Sequence, residues 1–264
     1  MAGLRALSLA FLAATRRRLA YCVACGVGMA WLAPAAPAAA ASLQISPVMI
    51  TLRAAQAATG ITLQNDGEAP IYGQVRVFLW EQQGGDDVLT PTDELIASPP
   101  VMQIAPKSAQ TIRLVRRSGA AGAGPERQYR VLIDEVPTTA EAREGVAIKL
   151  QYSVPVFIGA STPNGAPQLS WQFFRRDGAW FLRLTNTGAL HAQVGATTVA
   201  TADGKQYELS RGLLGYALAG RAREWRLGIA PDTPLRGVLT IRANINARPG
   251  TASGDVVAQP AAAP

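Results

Sequence analysis

The stretch from Gly145 to Phe157, GVAIKLQYSVPVF, decides how this chain is read. Val146, Ile148, Leu150, Tyr152 and Val154 share one parity, with Ala147, Lys149, Gln151 and Ser153 between them. A period of two marks a β-strand with one apolar face. Taken alone, such a stretch describes an ordinary core strand. Only the surrounding sequence gives a reason to read it as a strand that could be donated to another protein.

Upstream lie the strand-like segments SLQISPVMITL, GITLQN, IYGQVRVFLW, QTIRLVR and QYRVLIDEV. Turn signals separate them: Asn65-Asp66-Gly67, Gly84-Gly85-Asp86-Asp87, Ser98-Pro99-Pro100 and Ala105-Pro106. Downstream, LSWQFFR, WFLRLTN, AQVGATTVAT, EWRLGI and GVLTIRANI repeat the style, punctuated at Asp177-Gly178, Asn186-Thr187-Gly188, Asp203-Gly204 and Pro231-Asp232. Short strands at this spacing predict antiparallel sandwiches. Between the halves, residues 159–168 (GASTPNGAPQ) contain no bulky apolar side chain and read as a boundary. The expected fold class is therefore all-β, with two immunoglobulin-like β-sandwich domains in tandem, residues 42–160 and 161–250. Residues 251–264, rich in Ala, Pro, Gly and Thr, are expected to form a disordered tail.

Residues 1–41 read differently. Arg5, Arg16, Arg17 and Arg18 precede an apolar run from Leu19 to Leu32, and small residues follow near Ala39 to Ala41. Basic, apolar and small-residue regions in that order describe a secretory signal peptide. The run is shorter than the ~20 apolar residues of a spanning helix, so no stable membrane insertion is expected after cleavage. Cys22 and Cys25 both fall in this segment, so their C-x-x-C spacing is incidental and the exported chain is expected to carry no disulfide. Loss of the four leader arginines lowers the net charge from +7 to +3, too mild to argue for nucleic acid.

Catalytic chemistry is sparse. His191 is the one histidine, and without partners it reads as a solvated or capping residue. Asp134 and Glu135 are adjacent on a strand and so point to opposite faces. Asp86-Asp87 and Asp93-Glu94 read as solvated loop charges, and no Gly-rich phosphate loop precedes a helix. The sequence points to a binding protein with no cofactor and no metal, and not to an enzyme.

Five segments, in order, resemble the periplasmic chaperones of the chaperone–usher pilus pathway. SLQISPVMITL is similar to the family's opening strand, which switches between sheets. ITLQNDGEAPIYGQVRVFLW resembles its Asn-turn-Pro hairpin and long strand. LIASPPVMQIAPKSAQTIRLV resembles its Pro-Pro segment and Arg-bearing strand, and YRVLIDEVP its strand ending in Glu-x-Pro. A variable loop, 138–145, and the alternating strand complete the series. The resemblance implies a periplasmic protein that binds a pilus or fimbrial subunit by inserting its own strand into the subunit's incomplete fold. Main-chain hydrogen bonds would supply affinity and alternate side chains would fill pockets. The implied donor row is Val146, Ile148, Leu150, Tyr152 and Val154. The implied partners are the subunit and an outer-membrane usher, and the open apolar edge can also pair with a second copy of the free chain. The alternative reading is a two-domain adhesive or structural pilus component.

The chain departs from the family where a subunit's terminal carboxylate is held. Pro47 and Pro155 occupy the usual basic positions, and the surrounding Ser-Pro-Val and Val-Pro-Val-Phe resemble the archaic, spore-coat-U-type branch. The replacement anchor is Arg130 or Arg113. For Arg113 the competing reading is an internal salt bridge to Glu126 or Glu135. Glu126 and Asp232 match two members of the family's charged cluster between the domains, and Lys149 points away from the apolar row.

Overall fold

The computed structural model describes residues 43–117, 126–136, 150–159 and 165–258. Among them there is no helix. The leader, the loop 138–145, and Val146, Ile148 and Lys149 lie outside the described residues.

The first segment is split by its own sequence. Leu43–Ser46 (β1) and Ile50–Leu52 (β2) are separated by Pro47, which has no N–H to offer a ladder. β1 joins one sheet and β2 the other, the switch implied by the family resemblance. Ala58–Asn65 (β3), Leu95–Ser98 (β6) and Ser108–Arg116 (β8) complete the first sheet, ordered β1-β3-β8-β6. Ile71–Gln83 (β4), Asp86–Pro91 (β5), Arg127–Glu135 (β9) and Gln151–Ile158 (β10) form the second, ordered β2-β10-β9-β4-β5, with Val101–Ile104 (β7) also on β4. Strand alternation places Ile61 and Leu63 of β3, Ile112 and Leu114 of β8, and Tyr129, Val131 and Ile133 of β9 between the sheets. Each such side chain contributes roughly 1.5–3 kcal/mol on full burial.

The second domain comprises Leu169–Arg176 (β11), Ala179–Asn186 (β12), Ala192–Ala200 (β13), Gln206–Ser210 (β14), Gly215–Ala217 (β15), Arg221–Arg226 (β16), Val238–Ile245 (β17) and Arg248–Val256 (β18). Its hydrogen bonding is continuous through β14-β13-β17-β18-β11-β12-β16, around a core of Trp171, Phe173, Leu182, Leu184, Leu239 and Ile241.

β18 corrects the expected tail. Residues 251–256 form a strand, antiparallel to β17 and parallel to β11, and only 259–264 lie outside the described residues. The small side chains that resembled a linker are a packing requirement. A Cβ on Gly254 would stand 2.6 Å from Ile241 Cδ1 and 3.0 Å from Phe173 Cε2. Composition alone does not separate such a strand from a disordered segment.

Both domains use one turn device. Asn65 is fully buried; its Nδ2 donates to the Ala69, Ile104 and Ala105 carbonyls, and its Oδ1 accepts from Gly67 N. Asn186 repeats this with the Leu190 and Ala217 carbonyls and with Gly188 N and Gln168 N. A buried amide with its donors and acceptor all engaged costs little and fixes the loops it ties together.

Candidate functional site

β4 is long enough to serve both domains. Its odd residues Val75, Val77 and Leu79 pack on the first core. Near its end the parity of burial changes, and the even residues Trp80 and Gln82 are buried instead. Trp80 joins Phe157 of β10 and Tyr216 and Leu218 of the second domain in a separate cluster. Gln82 meets the second domain as a neighbouring strand would: Nε2 donates to Tyr216 O at 2.8 Å and Oε1 accepts from Leu218 N at 3.0 Å. The tip of the β4–β5 hairpin adds Gly85 O, which accepts from Glu224 N at 2.9 Å.

Asp86 and Asp87 are thus more than solvated loop charges. Asp86 pairs with Arg223 at 2.5 Å. Asp87 Oδ1 accepts from Trp80 Nε1 at 3.0 Å and from Gln82 Nε2 at 2.9 Å. Glu94, also expected to be solvated, accepts from Arg127 at 2.5 Å and from Tyr129 Oη at 2.7 Å. These partners hold the Glu94 carboxyl below its usual range, Arg127 first and Tyr129 second.

His191 is likewise not a solvated residue. Its ring lies flat on Phe157, centroids 3.4 Å apart and planes within 5°. Nδ1 and the backbone N both lie 2.8 Å from Glu126 Oε2, and Glu126 is 4% exposed. Glu126 therefore does bridge the domains, through the imidazole that follows the Asn186-Thr187-Gly188 turn. Asp232, the other expected member, is exposed and outside this contact.

Beside this junction lies a cavity of about 520 Å³, bordered by Val48, Met49, Arg130 and Pro155 from the first domain and by Leu213, Tyr216, Arg223 and Trp225 from the second. Arg130 pairs in register with Pro155. Residues directly opposite on antiparallel strands share a face, so the guanidinium stands one strand away from the proline that replaces the usual basic residue. It lies 3.7 Å from the Trp80 ring centroid and 5.3 Å from that of Tyr216. Burial pulls its pKa below the ordinary arginine value, against the opposing influence of Tyr216 and Asp87; a guanidinium stays charged nonetheless. No carboxylate among the described residues forms an ion pair with it.

Arg113 is elsewhere. It lies on β8, opposite Gly60 and Ser98 in the other sheet, with an exposed side chain. No ion pair joins Arg113 to Glu126 among the described residues: Arg113 is exposed on the other sheet, and Glu126 meets His191; Glu135 accepts from Tyr152 Oη at 3.4 Å.

The apolar row is divided. Val154 is 3% exposed and belongs to the chain's own core, which corrects its place in a donated row. Val154 lies opposite Val131, inside the closed part of the sandwich. Tyr152 is half-buried against that core and Leu150 is partly exposed. β2 pairs with β10 only from Val156 to Ile158. From Gln151 to Pro155, β10 is paired among the described residues on one side alone, by β9.

Residues 42–163 match the family model of the pili and flagellar-assembly chaperones, N-terminal domain. The first domain belongs to the pilus chaperone family. The family assists folding and is not a class of enzymes. Among solved structures, the chain is similar to the chaperone of the CsuC–CsuE complex, a chaperone–tip adhesion subunit pre-assembly complex from the archaic chaperone–usher Csu pili of Acinetobacter baumannii. That match has 25% identity, covers 82% of this chain and all of that one, and has a TM-score of 0.65. The fold is shared with the YadV chaperone (18% identity, 81% of this chain and all of that one, TM-score 0.58). It is also shared with the Salmonella enterica SafA pilin–SafB chaperone complex (16% identity, 81% of this chain, 95% of that one, TM-score 0.55). No curated protein matches the sequence. The tandem all-β architecture is that of a two-domain pilus chaperone.

The residues missed in the sequence are those that join the domains: Trp80, Gln82, Phe157 and Tyr216. The one available signal was a glutamine in phase with a tryptophan at the end of an overlong strand.

Proposed function

We propose that this chaperone works in the periplasm, holds secreted pilus subunits by donor-strand complementation and delivers them to an outer-membrane usher. The observation that carries the reading is the half-open edge of β10, whose Gln151–Pro155 backbone pairs on one side only among the described residues. An edge with free N–H and C=O groups is a template for another strand. Val146, Ile148 and Leu150 continue the apolar parity beyond that edge and form the proposed donor row, with Tyr152 at its margin. Their burial in a subunit would contribute roughly 1.5–3 kcal/mol each, much of it offset by association and loop ordering. Exchange at the usher needs no nucleotide, because folding free energy withheld from the subunit can drive it.

Arg130 is the proposed anchor for the subunit's terminal carboxylate. It is a cation in a cleft, stacked on Trp80, without a carboxylate in ion-pair contact among the described residues. A second docking face for the usher is supported by Tyr72, Val101 and Val136, exposed apolar residues on the neighbouring strands β4 and β7 and at the end of β9. The open β10 edge would also let free copies associate.

The test is recovery of the tagged protein from the periplasm of its host under piliating conditions, wild type beside Leu150→Asp. A small β-rich secreted protein recovered with wild type alone supports the reading. No client with either form favours an adhesive or structural role.

A further inference from the structure

Three of the nine exposed large apolar side chains among the described residues stand at one place. Val48 (73% exposed), Met49 (38%) and Leu213 (58%) border the cleft that contains Arg130. Val48 and Met49 come from the link between β1 and β2, and Leu213 from the link between β14 and β15, so the two domains face each other with apolar residues. The neighbouring polar groups are engaged: Arg223 with Asp86, Asp87 with Trp80 and Gln82, and Gln193 with Tyr216 Oη at 3.0 Å. Among the described residues, Arg130 is the cation of this cleft left for a ligand.

One positive charge beside apolar walls from two domains is complementary to one negative charge carried next to an apolar body. We infer that the cleft selects client chains whose last residue bears a large apolar side chain. The terminal carboxylate meets Arg130 and the side chain is enclosed by Met49, Leu213 and Trp225. This rests on the proposal that Arg130 anchors a carboxylate, and adds a subsite for the residue that carries it. A cavity of about 520 Å³ lies within the range of small-ligand pockets and admits an aromatic side chain. A charged or glycine terminus would leave the apolar lip in water.

The experiment uses the mature full-length protein and a fluorescein-labelled peptide of alternating valine and threonine, read by anisotropy. The peptide ends in phenylalanine acid, glycine acid or phenylalanine amide. The phenylalanine acid should bind about tenfold more tightly than the glycine acid, and also more tightly than its own amide. Leu213→Ser, at an exposed position, should reduce the preference for phenylalanine over glycine and leave the preference for acid over amide. Equal binding of the two acids, with the amide still weak, overturns the apolar subsite and leaves the anchor standing. Equal binding of acid and amide overturns the anchor itself, and failure of the phenylalanine acid to bind counts against both.

Discussion

Glu126 and His191 are joined twice across the domain junction. One carboxylate oxygen of Glu126 lies 2.8 Å from both the backbone N and the ring Nδ1 of His191. The imidazole is held in place from its other side by the face of Phe157. Phe157 belongs to β10, so the strand with the open edge is fastened at its far end to both domains.

Glu126→Ala would leave the part-buried His191 N–H without its acceptor. It should lower stability by about 1–3 kcal/mol. His191→Phe keeps a ring against Phe157 but loses one hydrogen bond, and should cost about 0.5–1.5 kcal/mol. Urea denaturation measures both. Two variants as stable as wild type would mean that the junction does not depend on this pair.

The division of the apolar row predicts opposite failures. Leu150→Asp, at a partly exposed site, should leave circular dichroism and melting unchanged and abolish client recovery. Val154→Asp places a carboxylate in a closed core and should cost several kcal/mol, seen as loss of the folded protein. If Val154→Asp folds like wild type, its side chain is not committed to the core.

Arg130→Ala should weaken client retention more than Arg113→Ala, because Arg130 faces the cleft and Arg113 is exposed on the other sheet. It should also change Trp80 fluorescence, since the guanidinium lies over that ring. Retention lost in Arg113→Ala and kept in Arg130→Ala would move the anchor.

Glu94 provides a pH signature. Its pKa is lowered on folding by Arg127 and then Tyr129. Its stabilising effect is therefore present above the unfolded carboxylate range, about pH 4.3, and is lost as pH falls through the lower folded value. The pair is part exposed, so solvent screening limits the effect to about 1 kcal/mol or less. Glu94→Gln should be less stable than wild type at neutral pH, and equal to it once the wild-type carboxyl is protonated. A gap that persists in acid would point to lost packing and not to charge.

Gly85 turns the β4–β5 hairpin at φ +86°, and a Cβ there would stand 2.8 Å from Glu224 Cγ. Glu224 cannot easily yield, because Arg183 and Arg176 hold it at 2.5 and 2.9 Å. Gly85→Ala should cost about 1–3 kcal/mol. Gly84→Ala, at φ +61° with open space around it, should cost less. Equal losses would mean that backbone conformation, not docking on Glu224, sets the cost.

Local patterning made most of the fold legible. Period-two runs such as Tyr129-Val131-Ile133 became core faces, because side-chain alternation along a strand is local geometry. The same parity put Arg130 on the opposite face from those three residues. Asn65-Asp66-Gly67 and Asn186-Thr187-Gly188 read as turns because an Asn side chain can satisfy its own loop. What failed was of another kind. Gly254 resembled a linker residue because nothing local says that Ile241 and Phe173 need its space. Val154 resembled its neighbours in the apolar row because parity gives a face and not which protein covers it.

The sequence by itself therefore determined the all-β class, the strand faces, the turns and the family resemblance, all set by residues near one another along the chain. The tertiary structure decided that Val154 stays in its own core, that Arg130 and not Arg113 reaches the cleft, and that Glu126 meets His191. Those outcomes depend on which surfaces meet across sheets and domains. Contacts between residues as far apart as Gln82 and Leu218 leave no periodic mark in the sequence.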